Sequence, residues 1–349
     1  MKVFIRNNFA VLLALLAALL FGLNAPLSKM LLISFPPMYM VSMLYLGAGF
    51  GMLFLYIFKK NKNKEANLSK SDAKWAVLMI VLDIVAPFFL MLGLKLSSSA
   101  SASLLFNFEM VATTLVALIF FKESIGKRLW LAIGLITFAS LLLTFDFSEN
   151  LLISFSLGSL FVLIACVTWG FENNFTRNMS HKDPSQIVIL KGFGSGTGAL
   201  IVFFLTEYKS FTFSLSSTVY ALVLGFVSYG LSIFFYVKAQ RFLGASRTSA
   251  FYAAAPFLGV IFSFILFRET LSIAFSVSFF IMLAGAYLAA SEKHEHLHHH
   301  ELMTHTHKHS HDDLHHLHSQ ENLTHSHTHT HQEMDHTHVH KPDIHHRHK

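Results

Sequence analysis

The side chains best suited to chemistry in this chain are its histidines. Of 23 His, 22 lie after Ala290. Fourteen fall in four alternating series: His294, His296 and His298; His305, His307, His309 and His311; His325, His327, His329 and His331; and His336, His338 and His340. Alternation puts imidazoles on one side of an extended chain, and neutral imidazole suits Zn, Ni, Co and Cu(II). Asp312, Asp313 and Glu333 are close enough in sequence to complete coordination. These histidines are the expected metal ligands, weak individually and many in number. Two plainer readings stay open: a solubilising tail, and a polycation that charges as free His titrates near pH ~6.5. The series are dispersed and mixed with acids, unlike the contiguous block of an expression tag.

A second set of residues is conspicuous because it interrupts apolar runs. A charged side chain at the centre of a membrane helix costs about 2.5–3.5 kcal/mol on insertion scales, so each needs a reason. Asp83 and Glu109 fall near the middles of the third and fourth runs, and Lys191 about two turns into the seventh. Glu172 stands in the inner half of the sixth, beside Asn173 and Asn174, where it could approach the water boundary. Asn24, Asn107, Tyr229 and Tyr252 are the neutral polar candidates. These eight are the expected substrate and coupling residues. Glu109 facing a cavity would link protonation to solute exchange; the alternative is a carboxyl that only holds helices together. Asp83 can pair with Lys191, which either neutralises a carboxylate or binds an anionic solute.

The elements that position these groups follow from composition. The chain is 53% hydrophobic and 13% charged, against about 25% charged in soluble domains. A bilayer core of about 30 Å takes roughly 20 apolar residues in a helix. Such runs occur at 9–33, 38–58, 75–95, 99–121, 128–146, 155–177, 185–206, 217–240, 246–267 and 272–290. Open backbone groups are not tolerated in hydrocarbon, and strand alternation is missing, so the expected fold is an all-α polytopic membrane protein of ten transmembrane helices. The first run is too long for a signal peptide and is read as a retained helix.

Orientation follows from Lys and Arg. Lys59, Lys60, Lys62, Lys64, Lys70 and Lys74, then Lys122, Lys127 and Arg128, then Arg177 and Lys182, then Lys238, Arg241 and Arg247 all fall on the side of the N-terminus. Lys95, Lys209 and Arg268 fall on the other. The positive-inside rule puts both termini in the cytoplasm of a cell with the bundle in its inner (plasma) membrane. The basic excess belongs to short loops, so nucleic acid is not expected as a partner. Cys166 is the single cysteine, which excludes an internal disulfide.

The second half repeats the first at an offset of 146–148 positions. Phe21-Gly22 matches Trp169-Gly170, and Pro37 with Gly47, Gly49 and Gly51 matches Pro184 with Gly194, Gly196 and Gly198. Phe88-Phe89 matches Phe234-Phe235, with Lys95 opposite Arg241, and Phe121-Lys122-Glu123-Ser124 matches Phe267-Arg268-Glu269-Thr270. Each repeat has five helices, so the second enters the membrane inverted. Inverted repeats create a pseudo-twofold axis in the membrane plane and a midplane site between the halves. The glycines are expected to allow close helix approach. Lys122-Glu123 and Arg268-Glu269 are expected as ion pairs or end anchors, and Trp169 with the many Phe as packing or lipid-facing residues.

The stretch from Leu92 to Leu105, followed by Phe108-Glu109 and Phe121-Lys122-Glu123, resembles the drug/metabolite transporter superfamily, EamA type; Ala255-Pro256 and Phe267-Arg268-Glu269 look like the same motif in the second repeat. The resemblance covers residues 9–290 and implies a 5+5 inverted bundle with a central cavity that exports small organic solutes. The chain departs from the pattern at Met110, where the family's proline is usual, and at Leu44, where a basic residue is frequent.

The expected organisation is a first five-helix repeat at 1–148, a second at 149–290, and a disordered histidine-rich cytoplasmic tail at 291–349. The expected function is secondary transport of a small molecule by alternating access, with transition metal held by the tail and no cofactor required. Two alternatives are a divalent transition-metal transporter fed by the tail and a membrane metal sensor. No nucleophile-base-orienter set marks an enzyme, and no phosphate loop marks a nucleotide-driven pump.

Overall fold

A computed structural model describes residues 2–58, 67–121, 126–147, 153–179, 182–236, 238–239, 248, 251–269 and 272–291, together with four tail segments. Ten main helical segments follow in order among the described residues. They are α1 (Lys2–Gly22, continued by Asn24–Leu31), α2 (Pro37–Ile57), α3 (Ala73–Leu96), α4 (Ser99–Leu105, continued by Asn107–Phe121) and α5 (Lys127–Thr144). The second set is α6 (Leu157–Arg177), α7 (Pro184–Thr206), α8 (Leu215–Gly225, running into the π turn Phe226–Leu231), α9 (Ala255–Phe267) and α10 (Ile273–Ala290). Eight of the ten are long and apolar enough to cross a membrane. The other two are α6, which carries Glu172, Asn173 and Asn174, and α9, whose apolar part is only 13 residues.

Local sequence explains where these helices start. Serines cap α4, α6, α8 and α10: Ser98, Ser156, Ser214 and Ser272 each accept a hydrogen bond from the backbone three residues on, as short polar side chains do at helix N-termini. Pro37 and Pro184 open α2 and α7, where a missing N–H costs nothing. At its other end, α9 stops at Arg268, whose φ of 48° is left-handed and cannot continue the spiral.

Three helices expected to run unbroken are interrupted. α1 breaks at Leu23, α4 at Phe106, and the chain before α9 turns at Ala253-Ala254. The breaks in α4 and before α9 lie at equivalent places in the two repeats. α8 holds its own irregularity, the six-residue π turn, a feature that often marks functional positions.

Packing displays the pseudo-twofold relation directly. α2 packs on α7, α4 on α9 and α5 on α10, each helix against its counterpart from the other half. Other cross-half contacts come in exchanged couples: α3 with α6 and α8 with α1, α4 with α6 and α9 with α1, α2 with α8 and α7 with α3. In lipid such contacts rest on close packing more than on water exclusion. At Gly192 a Cβ would lie 2.5 Å from the Gly49 Cα, and at Gly225 one would lie 2.0 Å from the Leu44 carbonyl oxygen. Both crossings therefore require glycine. Gly194, Gly196 and Gly198 instead receive the side chains of Ile80, Leu46 and Ile84.

A two-strand ladder, β1 (Phe145–Phe147) with β2 (Ile153–Phe155), joins the halves. The tail differs from the structureless chain expected for it. Its described backbone forms β3 (His294–His300), β4 (Met303–Ser310), β5 (Thr324–His331) and β6 (Met334–His340), with β3 antiparallel to β6 and β4 to β5. Period-two alternation of His fits strands because it sorts residues onto two faces, and in β4 and β5 the residues between are largely Thr, which favours strands.

Candidate functional site

The described bundle has two ends, here called distal, where α1 meets α2, and proximal, where α2 turns toward α3. The site lies between them, where the halves meet, and its charged members come from α3, α4, α6 and α7. On α6, Trp169, Glu172, Asn173 and Thr176 follow helical spacing and so share a face. The Gly49–Gly192 contact brings α7 against α2 next to Lys191. Pro87, inside α3, lacks the N–H that would bond the Asp83 carbonyl one turn earlier.

The Lys191 ammonium bridges two carboxylates, 3.2 Å from Asp83 Oδ2 and 2.9 Å from Glu172 Oε1. Asp83 comes from the first half and Glu172 from the second, so the bridge spans the repeat interface. The Tyr45 hydroxyl donates to Asp83 Oδ1 at 2.9 Å, and the Thr176 hydroxyl donates to Glu172. Glu172 is 1% exposed. Asp83 is fully buried, as its predicted pairing with Lys191 requires. Glu109 stands one step away. Its Oε1 accepts from Asn173 Nδ2 at 2.8 Å, and the same amide donates to Thr113 Oγ1 at 3.2 Å.

A wall of aromatic rings adjoins the charges. The Tyr45 ring lies 5.4 Å from that of Tyr229. Phe21 touches Tyr229 at 6.3 Å, Tyr252 at 5.8 Å and Phe106 at 6.1 Å between centroids. Phe106 continues to Trp169, and Tyr252 to Tyr236. Asn24 Nδ2 donates to the Tyr229 oxygen at 3.3 Å, and the Tyr252 and Ser232 hydroxyls lie 3.3 Å apart. Ser232 in turn donates to the Ala17 carbonyl at 2.9 Å.

The predicted neutral residues all sit at helix irregularities. Asn24 and Asn107 are the first residues after the breaks in α1 and α4, Tyr252 precedes the turn before α9, and Tyr229 lies in the π turn of α8. The structure unites Asn24, Tyr229 and Tyr252 with the aromatic wall. Asn107 is different: it donates to its own helix at the Leu104 carbonyl, 2.9 Å away, and reaches Met282 Sδ at 4.0 Å. Tyr45 was not singled out by sequence, although a tyrosine eight residues into an apolar helix is a usable signal.

At the bundle ends, carboxylates do other work. Glu207, just past α7, accepts from the Met38 N–H at 2.9 Å. Glu269 accepts from the Ser99 and Ala100 N–H groups at 3.0 and 3.1 Å. Each thus ties the second half to a helix N-terminus of the first at the distal end, where Lys29 also bonds the Ser97 carbonyl. Glu269 is an end anchor, as expected, held by backbone amides of α4. Lys122 and Glu123 lie outside the described residues. At the proximal end Lys182 pairs with Asp72 at 3.3 Å.

Among the described residues of the bundle, no three His, Cys, Asp or Glu are grouped to hold a metal ion. In the tail, backbone register sets His294 opposite His340, His296 opposite His338 and His298 opposite His336. The second ladder sets His305 opposite His329, His307 opposite His327 and His309 opposite His325. His331 is opposite Met303, and His311 lies outside the described residues.

Two inverted helical halves that meet on buried charge, with broken helices lining the junction, define a polytopic membrane transporter. Comparison with known proteins agrees. The EamA-like transporter family matches residues 8–145 and again 156–291, and the chain belongs to that family. An uncharacterized transporter of Methanothermobacter thermautotrophicus is 26% identical over 300 residues, spanning 82% of this chain and 87% of that one. A solved protein crystal structure is similar at a TM-score of 0.58 and 16% identity, covering 81% of this chain and 96% of the other; that likeness concerns fold alone.

Proposed function

We propose that this chain is a secondary-active transporter that exports a small organic metabolite by alternating access, with Glu109 as its proton-coupling carboxylate. The observation that carries the reading is the convergence of Asp83 and Glu109 from one half with Glu172 and Lys191 from the other. Rocking of the halves must rearrange contacts at that junction, so protonation or solute binding there biases the motion. Asn24, Tyr229 and Tyr252 supply hydrogen bonds and ring faces at flexible points of the helices. Asn107 belongs to the support of α4 in this scheme. The proposed setting is the inner (plasma) membrane, with both termini cytoplasmic, as the Lys and Arg bias directs.

In the same proposal the tail binds Zn, Ni, Co or Cu through its histidine series, supported by the register that sets six pairs of His opposite one another. That register is also the observation favouring the second reading, a divalent-metal transporter fed by the tail. The bundle counts against it, because its three interior carboxylates are separated by Lys191 and Asn173. Purified protein in liposomes, with and without residues 291–349, decides between the two. Organic solute flux that survives truncation supports the first reading; metal flux that falls with truncation supports the second. A well-folded protein that moves neither would be a sensor.

A further inference from the structure

We propose that the tail holds two copper(I) sites of the same make, each of three histidines and one methionine. His298, His300, Met334 and His336 form the site in one ladder, and Met303, His305, His329 and His331 the site in the other. The inference rests on the reading of the tail as metal-binding and adds the ion that two of its places select.

The first support is the register. In an antiparallel pair, alternate residues of one strand and their partners on the other share a face. Along β3 and β6 one such face carries seven His and, opposite His300, Met334. Along β4 and β5 one face again carries seven His and, opposite His331, Met303. The next pair on the same face is His298 with His336 in the first ladder and His305 with His329 in the second. Each methionine thus stands in a group of four with three histidines. Partners in such a group are about 4.5–5.5 Å apart between Cα atoms, and neighbours along a strand about 7 Å apart. That is a compact frame for long side chains to close on one ion.

The second support is how the strands sort their residues. The tail has two methionines, and both take a histidine face. Leu297 and Val339, the aliphatic residues of the described strands, take the other face, as do Glu295 and Asp335. Sulfur is therefore placed with imidazole nitrogen and apart from aliphatic and acidic residues alike. A methionine present for packing belongs on the face of Leu297 and Val339.

Ligand chemistry then names the ion. Thioether sulfur is a soft ligand that selects copper(I), whereas nickel is served by imidazole alone. Zinc draws on thiolate, imidazole and carboxylate, so a thioether adds little for it. The unbranched, polarizable methionine side chain adapts readily to its surroundings. The cytoplasm, where the tail is proposed to lie, is kept reducing, which holds copper in this valence. The other four histidines of each face remain for Zn, Ni or Co.

The test uses the full-length protein in detergent without oxygen. Copper(I) is titrated in competition with the chromogenic chelator bathocuproine disulfonate, and Zn and Ni are titrated separately. X-ray absorption at the copper edge reads whether sulfur is bound to the metal. The expected result is two copper(I) ions held with sulfur among their ligands. Met303→Leu and Met334→Leu should each release one of them to the chelator, and the double variant both, with Zn binding as in wild type. Folding of the variants is checked by size exclusion and thermal unfolding. Copper bound by nitrogen alone in wild type would overturn the inference, as would sulfur-bound copper at wild-type affinity in the double variant. Zn or Ni binding without copper(I) binding would overturn it too, and would leave the metal-binding tail standing. Binding of none of the three by folded protein would remove the tail reading, and this inference with it.

Discussion

Five carboxylates of this bundle divide into two regions, and the division separates architecture from mechanism. Glu207 and Glu269, at the distal end, are held by backbone N–H groups at the starts of α2 and α4. Those donors are fixed in place, belong to helix ends that otherwise lack partners, and sit at the positive end of the helix dipole. Among the described residues, no such donor reaches Asp83, Glu109 or Glu172 in the interior. Their partners are side chains: Lys191, Tyr45, Thr176 and Asn173. Side-chain partners can move, lose a proton or be replaced by a ligand. The same functional group is therefore a clasp at one place and an exchange site at the other, and the partner decides which.

The contrast is sharpest when the partner is removed. Lys191→Met leaves Asp83 and Glu172 buried near each other without a cation. We expect a loss of about 3–5 kcal/mol, typical of breaking a buried pair, read as a large fall in thermal stability in detergent. Adding Asp83→Asn to that variant should recover part of the loss; if the double variant is no more stable than the single one, the two residues are not coupled. At the distal end the effect should be smaller. Glu269→Ala removes two bonds to the start of α4, about 1–2 kcal/mol by analogy with lost helix caps, and should leave the pH dependence of solute flux as in wild type. The tail should matter least to the bundle. Truncation after Ala290 should leave insertion and thermal stability unchanged while Ni or Zn binding disappears. Binding by the intact chain should weaken below about pH 6, where protons compete for imidazole. Metal binding that persists after truncation would move the ligands into the bundle.

Much of this arrangement is legible in the residues themselves. The ten apolar runs, the repeat from Phe21-Gly22 to Phe267-Arg268-Glu269, and the interior charges all follow from what a bilayer tolerates. The pairing of Asp83 with Lys191 was open to inference because each needs a partner. The break at Leu23 had a local signal, since Pro26 lacks the N–H that would bond the Gly22 carbonyl; the break at Phe106 has only the neighbouring Asn107, too weak a signal to mark it. Pro256 hinted at the turn before α9, whereas Met110 gave no such hint for α4, which nonetheless breaks. The clasp of Glu269 on Ser99 and Ala100 connects residues about 170 positions apart in the chain, a contact that local pattern cannot reveal. In the tail, low apolar content suggests a structureless chain, whereas the described backbone pairs as strands in which His recurs at every second position over most of their length. That alternation had already been read for metal binding, and it also fits strands.

The division between clasp and exchange site is tested most directly by the pH dependence of solute flux in liposomes, compared between Glu109→Gln and Glu269→Gln. The account predicts that Glu109→Gln binds solute but loses the pH dependence, while Glu269→Gln keeps the wild-type profile. A wild-type profile in correctly folded Glu109→Gln, or a flattened one in Glu269→Gln, would contradict it.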